Sequence, residues 1–90
     1  MPDESRWKRG ARIPSQELQG QAVIVVPARR EMHELDEAGT LLWNALARER
    51  TVPELVDVLC AEYEVEREVA EKDVRAFLGS LEEKGLAGRT

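Results

Sequence analysis

The segment Leu35-Asp36-Glu37-Ala38-Gly39-Thr40-Leu41-Leu42-Trp43 constrains the fold most, because it ends a strand and starts a helix within two residues. The Asp36 carboxylate is placed to accept a free N–H of the first helical turn, and Glu37 complements the helix dipole. Ala38, Leu41, Leu42, Ala45 and Leu46 recur at helical spacing and form one apolar face. Trp43 falls off that stripe and is expected to pack against strands. Soon after, Thr51-Val52-Pro53-Glu54 fits a capping box with proline in the first turn. This second helix is expected to turn Leu55, Val56, Leu59, Cys60 and Tyr63 inward. A third helix is predicted over residues 66–84, with Ala70, Val74, Phe77, Leu78 and Leu81 as its core stripe. Gly85 suits the position just past its end, where Leu86 can fold back over the last turn.

Ahead of the helices the pattern is extended. Residues 12–19 are weakly strand-like, and Gln19-Gly20-Gln21 reads as a turn. Ala22-Val23-Ile24-Val25-Val26 is apolar on both faces, as a covered strand is, and Pro27 ends it. Residues 31–35 form a short third strand with charges on both faces, which suits a sheet edge. The predicted architecture is α+β and winged-helix-like: a three-stranded antiparallel N-terminal sheet followed by a three-helix bundle. Residues 1–10 are expected to be a flexible tail, with Trp7-Lys8-Arg9 lying on the surface, and residues 11–88 a single domain.

Ninety residues leave no room for a second core. No apolar run approaches the roughly 20 residues of a membrane span. Met1-Pro2-Asp3-Glu4-Ser5-Arg6 has no apolar signal region, so the expected location is the cytoplasm, away from membranes. The single cysteine, Cys60, excludes an internal disulfide and reads as a small buried hydrophobe. The net charge of −5 argues against nucleic acid and for a basic or neutral peptide partner. A winged-helix DNA-binding regulator remains the alternative that the element order raises. Its recognition helix would carry Glu66, Glu68, Glu71, Asp73, Glu82 and Glu83 against only Arg67, Lys72, Arg75 and Lys84, a balance that repels phosphate.

No catalytic set is present. His33 is the only histidine and has no second histidine to help it hold a metal. No Gly-rich phosphate loop and no Ser–His–Asp set occurs, and Asp36 and Glu37 are accounted for as helix caps. Catalytic residues, metal ligands and cofactors are therefore all expected to be absent. What remains is geometric. The edge strand Arg30, Glu31, Met32, His33, Glu34 and Leu35 offers unpaired backbone groups to which a peptide can add as a further strand. Its neighbouring wall is expected to be the third helix, where Asp73, Ala76, Phe77, Ser80 and Lys84 follow one side. The same edge suits pairing with a second copy of the chain, giving a possible homodimer.

Residues 23–87 resemble the PqqD-like family, named for a protein of pyrroloquinoline quinone biosynthesis. The likeness is carried by Val23-Ile24-Val25-Val26-Pro27-Ala28-Arg29, by Leu35-Asp36-Glu37-Ala38-Gly39 where the family often has Leu-Asn, and by Leu41-Leu42-Trp43. It continues through Arg50-Thr51-Val52-Pro53-Glu54-Leu55, Ala61-Glu62-Tyr63-Glu64-Val65 and Leu81-Glu82-Glu83-Lys84-Gly85-Leu86. The resemblance implies a recognition element for ribosomally made, post-translationally modified peptides. Such a domain binds the leader of a precursor peptide and presents it to a modifying enzyme, such as a radical S-adenosylmethionine protein or a leader peptidase. It implies peptide contacts at Arg30, Glu31, Met32, His33, Glu34 and Leu35, and at Asp73, Ala76, Phe77 and Ser80. Pyrroloquinoline members tend to carry a tryptophan-bearing first hairpin and an Asp-Gly before Arg-Thr. Here Gln19-Gly20-Gln21 and Arg48-Glu49-Arg50 stand in those places, so another peptide product, such as a lasso peptide or a radical-modified peptide, fits at least as well as the pyrroloquinoline pathway.

Overall fold

In a computed structural model, which describes residues 5–90, the chain is α+β with two antiparallel sheets and three helices. The elements run β1 (Arg6–Arg9), β2 (Ser15–Leu18), β3 (Gln21–Val26), a 3-10 turn (Pro27–Arg29), β4 (Glu31–Glu34), α1 (Glu37–Ala45), β5 (Arg50–Thr51), α2 (Val52–Glu62), α3 (Arg67–Glu83) and β6 (Ala87–Arg89).

The expected sheet is β2–β3–β4. Gln19 and Gly20, both at positive φ (55° and 81°), join β2 to β3 in a two-residue loop, with Leu18 opposite Gln21. Two left-handed residues give the turn whose twist matches that of the flanking strands. Ile24, which opposes Ser15 on one side and His33 on the other, is completely buried. Removing such a side chain from water is worth about 1.5–3 kcal/mol.

A second sheet, β5–β1–β6, corrects the expectation of a single one. It also corrects the frayed tail over residues 6–10, while Met1 to Glu4 lie outside the described residues. β1 is the central strand: Trp7 opposes Arg50 on one side and Arg89 on the other. Trp7 is only 5% exposed, and the Arg89 guanidinium lies 4.9 Å from its ring centroid. Arg9, two residues on, sits 5.3 Å from the Trp43 ring and donates to the Trp43 carbonyl. The charges of β1 conceal a strand whose partners are distant in sequence, so local alternation could not reveal it. The packed unit extends past the expected limits at both ends, since β6 closes this sheet and Thr90 N–H bonds the Arg6 carbonyl.

The helices follow their local signals. Asp36 accepts from the Gly39 N–H at 2.7 Å. Thr51 and Glu54 form the reciprocal capping box of α2. The α3 end is a Schellman motif: Leu86 N–H bonds the Leu81 carbonyl, and Gly85 N–H, at φ +73°, bonds that of Glu82. Trp43 is buried and its indole N–H donates to Ser15 Oγ of β2, as its place off the helix stripe predicts. Three inward positions are corrected. Tyr63 ends α2 in extended backbone and is 38% exposed. Phe77 is only half-buried, at the margin of the core, and so is Cys60, whose thiol faces the Val65 carbonyl.

Candidate functional site

β4 forms one edge of its sheet, with β3 as its only strand neighbour among the described residues. The ladder parity decides which backbone groups it offers. Leu35 N–H donates to the Ala22 carbonyl at 2.8 Å, continuing the register in which Glu34 opposes Val23 and His33 opposes Ile24. Alternate residues of an antiparallel strand bond to opposite sides. Glu31, His33 and Leu35 therefore face β3 with their N–H and C=O groups, and Met32 and Glu34 present theirs at the free edge. Thr40 of α1 closes the end of this ladder by accepting the Ala22 N–H at 2.7 Å. This buried bond fixes the start of α1 against the sheet.

Beside the free edge lies a half-open cavity of ≈ 480 Å³. Leu35 and Glu34 line it from the end of β4, Ala38, Gly39 and Leu42 from α1, Leu59 from α2, and Asp73 and Phe77 from α3. Leu35, Ala38, Leu42, Leu59 and Phe77 give it an apolar wall, and the acidic residues Glu34, Asp36 and Asp73 stand beside them in the lining. Gly39 gives it room. A Cβ there would come within 3.1 Å of Asp36 Oδ1 and 3.4 Å of Phe77 Cε1. At the other end of β4, Arg29 donates to the Lys84 carbonyl at the C-terminus of α3. α3 thus flanks the β4 edge from Asp73 to Lys84, antiparallel to it, and a groove runs between them.

Of the residues singled out in the sequence, Glu34, Leu35, Asp73 and Phe77 converge on the cavity. Glu31 and His33 turn to the face shared with Ile24, where the imidazole Nε2 lies 3.2 Å from the Glu31 carboxylate. Met32, 66% exposed, projects from the opposite face. Arg30 is a left-handed residue (φ 54°) at the turn before β4. Ala76 is exposed and Ser80 half-buried, and neither lines the cavity. Ala38, Gly39, Leu42 and Leu59 were not singled out as site residues. The signals that could have found them are a glycine in the capped first turn of α1 and the inward position of Leu59. Among the described residues no group of three metal-ligating side chains converges, and no helix is long and apolar enough to cross a membrane.

Comparison with known proteins bears on the groove. The family model for coenzyme PQQ synthesis protein D (PqqD) matches residues 21–87. The structure of TbiB1 in complex with the TbiA(beta) leader peptide is similar, with 31% identity over 89% of this chain and 93% of that one, and a TM-score of 0.81. A lasso peptide synthetase B1 complexed with the leader peptide is 27% identical over 91% of this chain and 96% of that one, with a TM-score of 0.80. The PqqD truncation of Methylobacterium extorquens PqqCD, a stand-alone recognition element for ribosomally synthesized and post-translationally modified peptides, shares the fold. Its TM-score is 0.79 at 15% identity, over 99% of this chain and 95% of that one. No curated protein gives a significant match.

Proposed function

We propose, from the premise that this chain belongs to the PqqD family, that it is a leader-peptide-binding chaperone. It takes the leader of a ribosomally made precursor peptide as an added strand on β4 and presents the peptide to a modifying enzyme. The observation that carries this reading is the juxtaposition of the free β4 edge with the apolar cavity. Met32 and Glu34 supply outward backbone donors and acceptors, and Leu35, Ala38, Leu42, Leu59 and Phe77 supply a place for an apolar side chain beside them. Two similar proteins are seen in complex with leader peptides.

The peptide-contacting residues in this reading are Arg30, Glu31, Met32, His33, Glu34 and Leu35 on the strand side, and Asp73, Ala76, Phe77 and Ser80 on the helix side. Gly39, Ala38, Leu42 and Leu59 join them. The role is recognition without catalysis, in the cytoplasm, and the enzyme partner is of the class that modifies or cleaves precursor peptides. The resemblance of the element order to a winged helix does not bring DNA binding with it. The exposed surface of α3 carries Glu68, Glu71, Asp73, Glu82 and Glu83.

The test is an amide-shift titration of labelled protein with the leader of a small peptide encoded beside it. Saturable shifts over residues 30–35 and 73–80 are expected, with affinity in the micromolar range or tighter once the leader's ordering cost of several kcal/mol is met. A folded protein whose amides do not respond to that leader would overturn the reading.

A further inference from the structure

The groove is electrically polarised along its length. At the cavity end, Glu34, Asp36 and Asp73 are lining residues, with Glu37 next in the chain. Asp36 is engaged as the α1 cap. Glu34 and Asp73 are exposed and make no ion pair among the described residues. At the turn end the sign reverses. Arg29 donates to the carbonyl of Lys84, the residue that caps the end of α3, and the exposed Arg30 and Lys84 side chains are without ion partners among the described residues. In between, Glu31 faces the His33 imidazole, with Nε2 3.2 Å from its carboxylate. Lys84 continues the row of Asp73, Phe77 and Ser80 along α3, whereas Glu83 and Glu82 are turned away by successive steps of about 100°.

We infer that the groove reads the charge polarity of its peptide: it takes a strand with a cationic residue at the cavity end and a carboxylate at the turn end. This rests on the reading of the groove as a leader site, and deepens it by naming the ligand's charge pattern and direction. β4 runs from the turn end to the cavity end. A strand added antiparallel, as throughout β2–β3–β4, runs the opposite way. The leader segment therefore carries Lys or Arg before its apolar anchor and Asp or Glu after it. Such charges add modest affinity at an exposed site, but a reversed pattern sets like charges together at both ends, so they select orientation and register.

The experiment uses three short synthetic peptides with one β-prone core and one bulky apolar anchor. Their flanks are Lys before and Glu after, the reverse, and serine at both ends. Fluorescence anisotropy with the intact protein should rank the first peptide tightest and the reversed one weakest. The gap should be about threefold to tenfold at low salt, as expected for exposed ion pairs, and should shrink towards none near 1 M salt, where the screening length is ~3 Å. The double variant Asp73→Lys with Lys84→Glu should invert the ranking. Equal affinity for all three peptides, with shifts along β4, would overturn the polarity inference and leave the leader site standing. No binding by any of them, nor by the encoded leader, would overturn both.

Discussion

Gly39 carries the most specific consequence for function at the residue scale. It occupies the first turn of α1, beneath the Asp36 cap and against Phe77, in ordinary helical backbone. Gly39→Ala sets alanine's helix preference of up to ~1 kcal/mol over glycine against a 3.1 Å approach to the capping Asp36 Oδ1, so the fold should persist with little net change in melting temperature. The added methyl makes the cavity shallower, so leader affinity is expected to fall severalfold. An unchanged affinity would show that the leader's anchor does not reach this floor. Glu54 gives a pH dependence. The Thr51 backbone N–H, then its hydroxyl, hold the Glu54 carboxyl below its ordinary value of 4.5. A carboxylate lowered by folding contributes stability above its unfolded-state value, and this is lost as pH falls through the lower folded-state value. Urea unfolding below about pH 4.5 should accordingly show a shallower acid slope in Glu54→Gln, which keeps an acceptor oxygen but does not titrate.

The parity of the β4 ladder separates two neighbouring residues at the scale of the element. Glu34 presents its N–H at the free edge, so Glu34→Pro should fold and lose leader binding by about tenfold or more, the ring blocking both a donor and close approach. His33 bonds towards β3, so His33→Pro should instead destabilise the protein by about 1–3 kcal/mol in chemical denaturation. Glu34→Gln controls for the lost charge. Equal effects of the two prolines on stability would contradict the assigned parity. The three helices and β3 were legible in the sequence because their signals are local: Asp36, the Thr51–Glu54 box, Gly85 and a run of β-branched residues. The edge character of β4 was legible from its charges. The side on which each of its backbone groups points was not, because that depends on the register with β3.

The second sheet ties the chain's ends together at the scale of the whole molecule. Trp7 holds residues 50–51 and 87–89 around β1, and its ring is buried in the common core. Trp7→Ala should therefore cost about 3–5 kcal/mol in equilibrium unfolding, whereas a frayed tail would lose nothing. By itself, the sequence determined the capped starts of α1 and α2, the span of α3 to within a residue at each end, a turn at Gln19-Gly20-Gln21, most of the apolar stripes and the edge nature of residues 31–34, because capping, turn chemistry and side-chain periodicity act over a few residues. Tertiary structure alone decided that the charged N-terminal segment is a central strand. It also turned Tyr63 outward and moved Phe77 to a cavity wall, and it brought Gly39, Leu59 and Asp73 together beside Leu35. Those outcomes depend on contacts between residues tens of positions apart, which only the packing of the assembled core selects.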